Sequence, residues 1–296
     1  MKKSFIYIFS ISVSYLIISL STTVLNKYIL TILNFQVPFL LVVMQSFFIC
    51  SILLSLKYCG MCRLCINNYK MWLIPSVFLC VMIFSGSKSL QYLDISLYTL
   101  VKNSSILIVA IVEYFLFKRF INLLEIVSFL LMIAASYINF FKNELYGNIW
   151  IIVNVVSTTI YIVSLRHIIL LENRNVAESV FFPNLIGFFL IGIISYVNER
   201  NSYTGIPNTV IVYIIISSIC ALLTSFTTAM VLACLSSTTY SMLGALNKVI
   251  MGFTGFIFIN EKICYYKMLS LLIGMFGILL YTFNQNVKNI NFVRKK

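Results

Sequence analysis

The chain alternates between long apolar blocks and short polar turns. Each apolar block runs for about 18–25 residues, the length of helix that crosses a hydrocarbon core of about 30 Å. We therefore predict an all-α membrane protein with ten transmembrane helices, at residues 5–25, 37–56, 71–90, 96–117, 122–141, 148–168, 178–197, 208–233, 238–259 and 266–285. The polar turns are too short for a separate soluble domain, so residues 1–296 are expected to form a single transmembrane domain.

The two halves of the chain show a faint internal similarity. Residues 98–138 and 241–281 each hold a long apolar helix that ends in a short basic turn, and a second apolar helix follows at once. Many transporters are built from two related halves. An odd number of helices per half inverts the second half in the membrane. The pattern therefore predicts two inverted five-helix repeats, at approximately 1–145 and 146–296.

Composition and charge agree with a membrane protein. Hydrophobic residues make up 61% of the chain and charged residues only 10%, and the mean hydropathy is +1.01. The net charge of +13 is better explained by topology than by nucleic-acid binding. Thirteen Lys and Arg residues fall on the side that holds both termini, against six in the opposite loops. By the positive-inside bias, both termini are predicted to be cytosolic.

The ninth span carries the most polar segment inside an apolar block, where polar groups are costly and mark function. Tyr240, Gly244, Asn247 and Lys248 recur at spacings of four and three, which places them along one helix face. Gly244 lets a ligand approach the backbone, and Lys248 offers a point charge suited to phosphate. The alternative is a small-residue helix contact with a lysine that reaches the interface. Because Lys248 lies roughly ten residues from either end of its span, ligand binding is favoured.

Three other spans carry polar residues with more than one interpretation. In the seventh span, Asn184 follows Pro183 and either recognises a planar base or makes an interhelical amide bond beside a proline kink. In the fourth span, Lys102 and Asn103 precede Glu113 by about three turns, too far for Lys102 and Glu113 to pair within one helix. A phosphate contact and a gating or pathway role remain open for them. The hydroxyls of the first span line a pathway or bond to their own helix.

Catalytic and cofactor-binding constellations are not evident in the sequence. It has one histidine, no Cys/His pair, no paired acids in a plausible pocket and no glycine-rich phosphate loop. We therefore expect neither an enzyme nor an ATP-driven pump, and no cofactor. Cys59, Cys62 and Cys65 cluster in the loop after the second span, where zinc binding, palmitoylation and no modification are all open.

The segment Gly244-Ala245-Leu246-Asn247-Lys248 resembles the GALNK motif that marks the GDP-mannose transporters of the drug/metabolite transporter superfamily. Residues 87–93, 98–103 and 23–27 are also similar to that family, so the resemblance extends over the whole chain. It implies ten helices in inverted repeats, a Golgi location and exchange of GDP-mannose for GMP. The expected partners are these two ligands and the lipid bilayer, with no nucleic acid, while a homodimer is left open because the sequence does not determine the oligomeric state.

The resemblance also implies site residues. Tyr240, Gly244 and Asn247 would contact mannose, with Lys248 near the phosphates and Tyr15 of the first helix reaching the sugar. A second family motif, FYNN, reads guanine from the seventh helix, and Ser225 would assist with the base. Here Phe181-Phe182-Pro183-Asn184 occupies the place of that motif, so its Tyr and first Asn are replaced.

Two alternative functions remain at this stage. A transporter of another nucleotide sugar or of a phosphorylated metabolite is supported by the altered motif of the seventh helix. A non-transporting membrane scaffold or receptor would keep the fold, but it has no need for Asn247 and Lys248 inside the membrane.

Overall fold

A computed structural model describes most of the chain, and its regular structure is helical. The described residues are 5–62, 64, 66–93, 98, 101–118, 122–140, 145–171, 175–202, 207–259, 269, 272–277, 279–281 and 284. Within them the helices are α1 (Phe5–Lys27), α2 (Pro38–Tyr58), α3 (Leu73–Tyr92), α4 (Ser105–Phe117), α5 (Leu123–Phe140), α6 (Leu145–Leu171), α7 (Val176–Glu199), α8 (Asn208–Cys234), α9 (Ser237–Ile259) and a short α10 (Leu272–Tyr281). The predicted all-α class is confirmed for this part of the chain.

The prediction of ten transmembrane helices in two inverted five-helix repeats is wrong. In the described part of the chain, six helices are long and apolar enough to cross a membrane. They are Ile6–Ile32, Pro38–Tyr58, Tyr69–Tyr92, Tyr146–Leu170, Val176–Glu199 and Asn208–Cys234. Every predicted span overlaps a helix in the described part of the chain, but four of these helices are not among the six.

The fourth predicted span is interrupted within its described residues, which exclude 96, 97, 99 and 100. Residues 101–103 are helical, Ser104 forms a turn, and α4 begins only at Ser105. The 13 residues of α4 rise by about 20 Å, less than a hydrocarbon core of about 30 Å. Helix α10 is shorter still. Some side chains of α5 and α9 lie outside the described residues, and neither helix is counted as a span.

Helix ends follow the local sequence. Pro38 stands at the first position of α2, where its missing N–H is not needed. Pro207 precedes α8 in an extended conformation. Lys118 ends α4 in the left-handed conformation, with φ of 50°, which stops further helical hydrogen bonding.

The outer surfaces of the helices are strongly apolar. Large side chains such as Phe9, Phe47, Phe115 and Phe189 are exposed. Extensive exposed apolar surface is unfavourable in water and is typical of contact with lipid or another apolar partner. Together with the six candidate spans, this surface identifies a multi-pass membrane protein.

The chain forms two compact units, each made of two chain segments. The first covers Met1–Cys80 and Ile160–Ser236, and the second covers Val81–Thr159 and Ser237–Lys296. The boundaries pass through α3 and α6. The assignment of residues 1–296 to one domain stays a prediction.

In the first unit, α1 packs against α8, and α2 packs against both α7 and α8. An apolar cluster lies where α2 and α8 begin, formed by Ile29, Phe35, Val37, Leu41, Val210 and Ile214. A polar triad of buried Gln45 and Ser217 with half-buried Asn26 also joins three helices of this unit. Gln45 of α2 donates its side-chain N–H groups to Asn26 Oδ1 at 2.8 Å and to Ser217 Oγ at 2.6 Å. Ser217 Oγ in turn donates to Asn26 Oδ1.

In the second unit, α4 packs against α9. Its apolar cluster is formed by Ile106, Ala110, Phe129, Met242, Ala245 and Tyr281. Because this cluster joins the N-terminal half of α4 to the first half of α9, it determines which face of α9 is buried.

Candidate ligand-binding site

Helix α9 has two distinct faces over its first three turns. Met242 and Ala245 belong to the buried apolar cluster of the second unit, and Thr238 lies on the same side. These three residues are spaced by four and three positions. The same spacing begins two residues later with Tyr240, Gly244 and Asn247, and two residues correspond to a rotation of about 200° around the helix axis. Tyr240 and Gly244 are half-buried and Asn247 is buried. The predicted ligand residues therefore share one face, opposite the face that packs on α4.

Glu113 anchors the start of α9. Its side chain is 0% exposed. Its Oε1 atom accepts the backbone N–H of Ser237 at 2.6 Å, and Oε2 accepts the backbone N–H of Thr238 at 3.2 Å. The Thr238 hydroxyl also donates to Oε2. The first N–H groups of a helix lack intrahelical acceptors and attract negative charge. Glu113 is thus a helix cap supplied by another helix, which explains an acidic residue inside an apolar block.

Lys248 follows Asn247 within α9, but its side chain lies outside the described residues. Its predicted contact with phosphate therefore stays a prediction. The same holds for the predicted contacts of Tyr240, Gly244 and Asn247 with a sugar.

Lys102 is held by a neighbouring tyrosine. Its Nζ donates to the Tyr98 hydroxyl at 3.0 Å and lies 5.3 Å from the centroid of the Tyr98 ring. Asn103 is only 3% exposed. Its Oδ1 is buried and accepts no hydrogen bond within the described part of the chain. Glu113 bonds to α9, as described, so the structure gives Lys102 and Glu113 separate partners.

Gly86 permits a close polar contact in the second unit that sequence reasoning missed. A Cβ atom at this position would stand 3.0 Å from both Asn154 Nδ2 and the Tyr98 hydroxyl. Asn154 on α6 also donates to the Met82 carbonyl of α3 at 2.6 Å. A glycine between two serines, Ser85 and Ser87, was the available signal. Because Gly86 has no side chain, the Tyr98 hydroxyl, which binds Lys102, can lie close to α3 at this position.

The seventh-helix motif lies in the first unit, and most of it is buried. The ring of Phe182 stacks on Trp72 with centroids 5.8 Å apart and an angle of 13°; by the resemblance given above, Phe182 is expected to take the place of the motif's tyrosine. Pro183 is buried beside it, while Asn184 is half-buried. Asn184 Nδ2 donates to the Val180 carbonyl of its own helix at 2.7 Å. One amide N–H is therefore used locally, and the remaining polar atoms of Asn184 are those suited to a base.

Tyr15 and Ser225 lie on α1 and α8 at different heights in the first unit. The Thr22 and Thr224 hydroxyls are 2.8 Å apart and set the register of the two helices. Ser225 follows Thr224 directly. Tyr15, which is buried, lies seven residues before Thr22, about 10 Å along the axis. The structure does not bring these two predicted residues to the same level.

Most hydroxyls of α1 bond to their own helix. Ser12 donates to the Ile8 carbonyl at 2.9 Å, and Ser21 donates to the Ile17 carbonyl at 3.0 Å. Thr22 and Thr23 make equivalent bonds four residues back. Of the two interpretations, satisfaction of the hydroxyls by their own backbone is therefore the one that the structure supports.

A second buried carboxylate, Glu199, was also missed from the sequence. It is 6% exposed, and it accepts the backbone N–H of Phe39 at 2.7 Å and that of Leu40 at 2.9 Å. Ser195 Oγ donates to it at 2.7 Å. Glu199 thus caps α2 within the first unit much as Glu113 caps α9 within the second. The signal was an acidic residue at the end of an apolar block.

The cysteine cluster is only partly described, since Cys65 lies outside the described residues. Cys59 is exposed. Burial raises the pKa of the Cys62 thiol, and the Glu178 carboxylate raises it further, which favours the neutral thiol. In the described part of the chain, no group of three His, Cys, Asp or Glu side chains could hold a metal ion.

Comparison of the sequence with known proteins relates this chain to transporters. The EamA-like transporter family matches residues 145–283. A GDP-mannose transporter of Aspergillus oryzae is 28% identical over 91% of this chain and 79% of its own length. A GDP-mannose transporter of Kluyveromyces lactis is 26% identical over 94% of this chain and 91% of its own length.

The fold is similar to that of a solved structure. A crystal structure of another protein superposes with a TM-score of 0.73 at 12% identity, over 92% of this chain and 95% of that chain. At this identity the likeness concerns the fold alone. A GDP-mannose transporter of Komagataella pastoris is 32% identical over 90% of this chain and 88% of its own length. At that identity and coverage, the chain belongs to the GDP-mannose transporter family.

Proposed function

We propose that this protein carries GDP-mannose across the Golgi membrane into the lumen in exchange for GMP, by alternating access. The observation that carries the proposal is the face of α9 formed by Tyr240, Gly244 and Asn247, in a chain whose relatives are named GDP-mannose transporters. Family membership supports nucleotide-sugar transport as the general activity. GDP-mannose, GMP and the Golgi membrane are the more specific part of the proposal.

The α9 face suits the sugar and the phosphates. Tyr240 and Asn247 offer hydrogen-bonding groups to sugar hydroxyls, and Gly244 has no side chain to keep a sugar ring from the backbone. Lys248 is proposed to bind the diphosphate as a compact cation. Lys102, oriented by Tyr98 at 3.0 Å, is proposed to have a pathway or gating role together with Asn103.

Recognition of the guanine base is proposed for Asn184 and Ser225, which lie in the first unit. Asn184 is proposed to pair with the guanine edge, with Ser225 assisting, and Tyr15 is proposed to reach the sugar. Asn184 already donates one N–H to the Val180 carbonyl, so its side-chain oxygen and second N–H remain suited to guanine N1 or N2 and O6. This is one amide fewer than the family motif supplies.

Transport of another nucleotide sugar is the second candidate, and the seventh helix favours it. Phe182 is stacked on Trp72 and Pro183 is buried. Neither residue offers a side-chain hydrogen bond to a base. Discrimination between bases is therefore expected to be weaker than in relatives that have both amides.

An exchange assay separates these candidates. Purified protein in liposomes loaded with GMP is supplied with labelled GDP-mannose, UDP-sugars or CMP-sugars. We expect uptake of GDP-mannose that requires internal GMP. Faster uptake of a UDP- or CMP-sugar would establish the second candidate. If no nucleotide sugar is taken up or raises the melting temperature, the non-transporting scaffold becomes the better interpretation.

The orientation in the membrane also stays a proposal. We propose that both termini are cytosolic. The surplus of basic residues was counted on the ten predicted spans, so it does not support this orientation by itself, and both termini lie outside the described residues. Tags at Met1 and Lys296 should be accessible in sealed Golgi vesicles whose cytosolic face points outward. Protection of either tag would contradict this orientation.

A further inference from the structure

The binding face of α9 is opposite a face that is anchored at three levels. At the first turn, Glu113 accepts hydrogen bonds from Ser237 and Thr238. One and two turns later, Met242 and Ala245 pack into the apolar cluster that includes Ile106 and Ala110 of α4. Apolar packing is not directional, whereas hydrogen bonds to two successive backbone N–H groups specify both the depth and the rotation of a helix.

We infer that Glu113 is a positioning residue for ligand recognition: its carboxylate sets the rotation of α9 and so presents Tyr240, Gly244 and Asn247 to the sugar. This inference rests on the proposed function for the identity of the ligand. A rotation of one residue, about 100°, would move Asn247 out of the binding face. The carboxylate prevents such a rotation because the N–H groups that it accepts belong to the first turn of the helix.

The geometry favours a carboxylate in this position. Two backbone N–H groups and one hydroxyl donate to its two oxygens, and the two N–H groups can bond only to acceptors. Glutamine has the same size but replaces one acceptor oxygen by an N–H donor. Glu113→Gln therefore leaves part of the first turn of α9 without its acceptor and also removes the negative charge that favours a helix N-terminus.

The chain offers a matched control in Glu199. It caps α2 through the N–H groups of Phe39 and Leu40 and accepts the Ser195 hydroxyl. Its burial is similar to that of Glu113, and α2 carries none of the proposed ligand residues. Glu199→Gln should therefore lower stability to a similar degree without altering recognition of the sugar.

The ligand arm of the test uses purified wild type, Glu113→Gln and Glu199→Gln. The melting temperature and the affinities for GDP-mannose and GMP are measured for each protein. We expect Glu113→Gln to weaken GDP-mannose binding about tenfold relative to GMP, or about 1.4 kcal/mol, because GMP lacks the sugar. Glu199→Gln should keep the wild-type ratio. An unchanged ratio in Glu113→Gln, or an equal change in both variants, would overturn the inference.

A second arm tests the rotation without a ligand. Cysteine is placed at Met242 on the anchored face or at Gly244 on the binding face, and maleimide labelling is located by peptide mass spectrometry, so native thiols do not interfere. In otherwise wild-type protein, the thiol at 244 should react and the thiol at 242 should be protected. Adding Glu113→Gln should raise labelling at 242 at least threefold, and adding Glu199→Gln should not. Unchanged labelling would overturn the inference.

The two arms separate failure of the inference from failure of the proposed function. If wild-type protein does not bind GDP-mannose, the proposed function fails and labelling alone decides the positioning role. If Glu113→Gln does not accumulate, Thr238→Val replaces it, since valine removes only the hydroxyl bond and keeps both backbone bonds. We then expect about a threefold change in the same ratio, and no change would contradict the positioning role.

Discussion

Glu113 and Thr238 lie 125 positions apart in the chain and are joined by two hydrogen bonds. The backbone N–H of Thr238 donates to the Glu113 carboxylate at 3.2 Å, and the Thr238 hydroxyl donates to the same oxygen. From sequence alone, Glu113 was a candidate for gating or the transport pathway. Its bonds to α9 explain how a carboxylate can be buried within an apolar helix, since the N-terminus of α9 stabilises the charge.

The proposed phosphate contact of Lys248 can be tested by removing its charge. Lys248→Ala should lower GDP-mannose uptake at least tenfold while the protein still folds and reaches the Golgi, because a charge-assisted bond to phosphate is lost. Uptake into liposomes and the melting temperature are measured together. Lys70→Ala, at an exposed position, serves as the control and should be neutral. Normal uptake by Lys248→Ala would remove Lys248 from the site.

The role of Asn184 in base selection can be separated from its role in the helix. Asn184→Ala should reduce the preference for GMP over AMP, UMP and CMP about fivefold, since an unpaired buried polar group costs about 1–3 kcal/mol. Competition binding to purified protein measures this preference. Asn198 on the same helix makes the same bond to a carbonyl four residues back, at 2.8 Å, so Asn198→Ala is the control. An equal effect of both changes would assign the effect to the helix.

The close contact at Gly86 predicts that an added methyl group lowers stability at this position but not at an open one. Gly86→Ala places Cβ 3.0 Å from Asn154 Nδ2 and the Tyr98 hydroxyl, and it should destabilise the protein by about 1–3 kcal/mol. At Gly192 on α7, an added Cβ would have no neighbouring atom within 4 Å, so Gly192→Ala should be neutral or stabilising by up to about 1 kcal/mol. Thermal unfolding compares the two. Equal melting temperatures would show that the second unit adjusts to the added methyl group.

The triad of Asn26, Gln45 and Ser217 predicts a stability effect confined to the first unit. Gln45→Met keeps the length of the side chain but removes both of its N–H donors, at 2.8 Å from Asn26 and 2.6 Å from Ser217. The loss should be about 1–3 kcal/mol. Gln36 is exposed in the segment before α2, and Gln36→Met should change stability by less than about 0.5 kcal/mol. Similar melting temperatures for both variants would contradict a stabilising role of the triad.

The positions of the helices were predictable because they depend on local properties. A long apolar block favours a helix wherever it lies in the chain, and every predicted span overlaps a described helix. The break in the fourth predicted span was not predictable in this way: Ser104 forms a turn, and α4 comprises the 13 residues after it. Lys102 and Asn103 lie directly before this turn and inside the predicted span 96–117. Their spacing gives no sign that the helix is interrupted there.

In the candidate site too, some features follow from the sequence and others require the structure. The spacing of Tyr240, Gly244 and Asn247 was enough to place them on one face, since 3.6 residues per turn is a property of the helix alone. The packing of Phe182 on Trp72 and the local bond of Asn184 to Val180 required the structure. These contacts determine which parts of the altered seventh-helix motif are left for a ligand.

By itself, the sequence determined the helical class, the membrane environment, the family and the common face of the α9 residues. Each of these follows from composition, periodicity or contiguous motifs. Only the tertiary structure decided that Glu113 caps α9, that Glu199 caps α2 and that Gly86 faces Tyr98 and Asn154. These contacts join residues far apart in the chain, and their partners depend on which helices pack together. A hydrogen bond between two helices is specified by their relative depth and rotation, and a linear pattern of apolar residues contains neither.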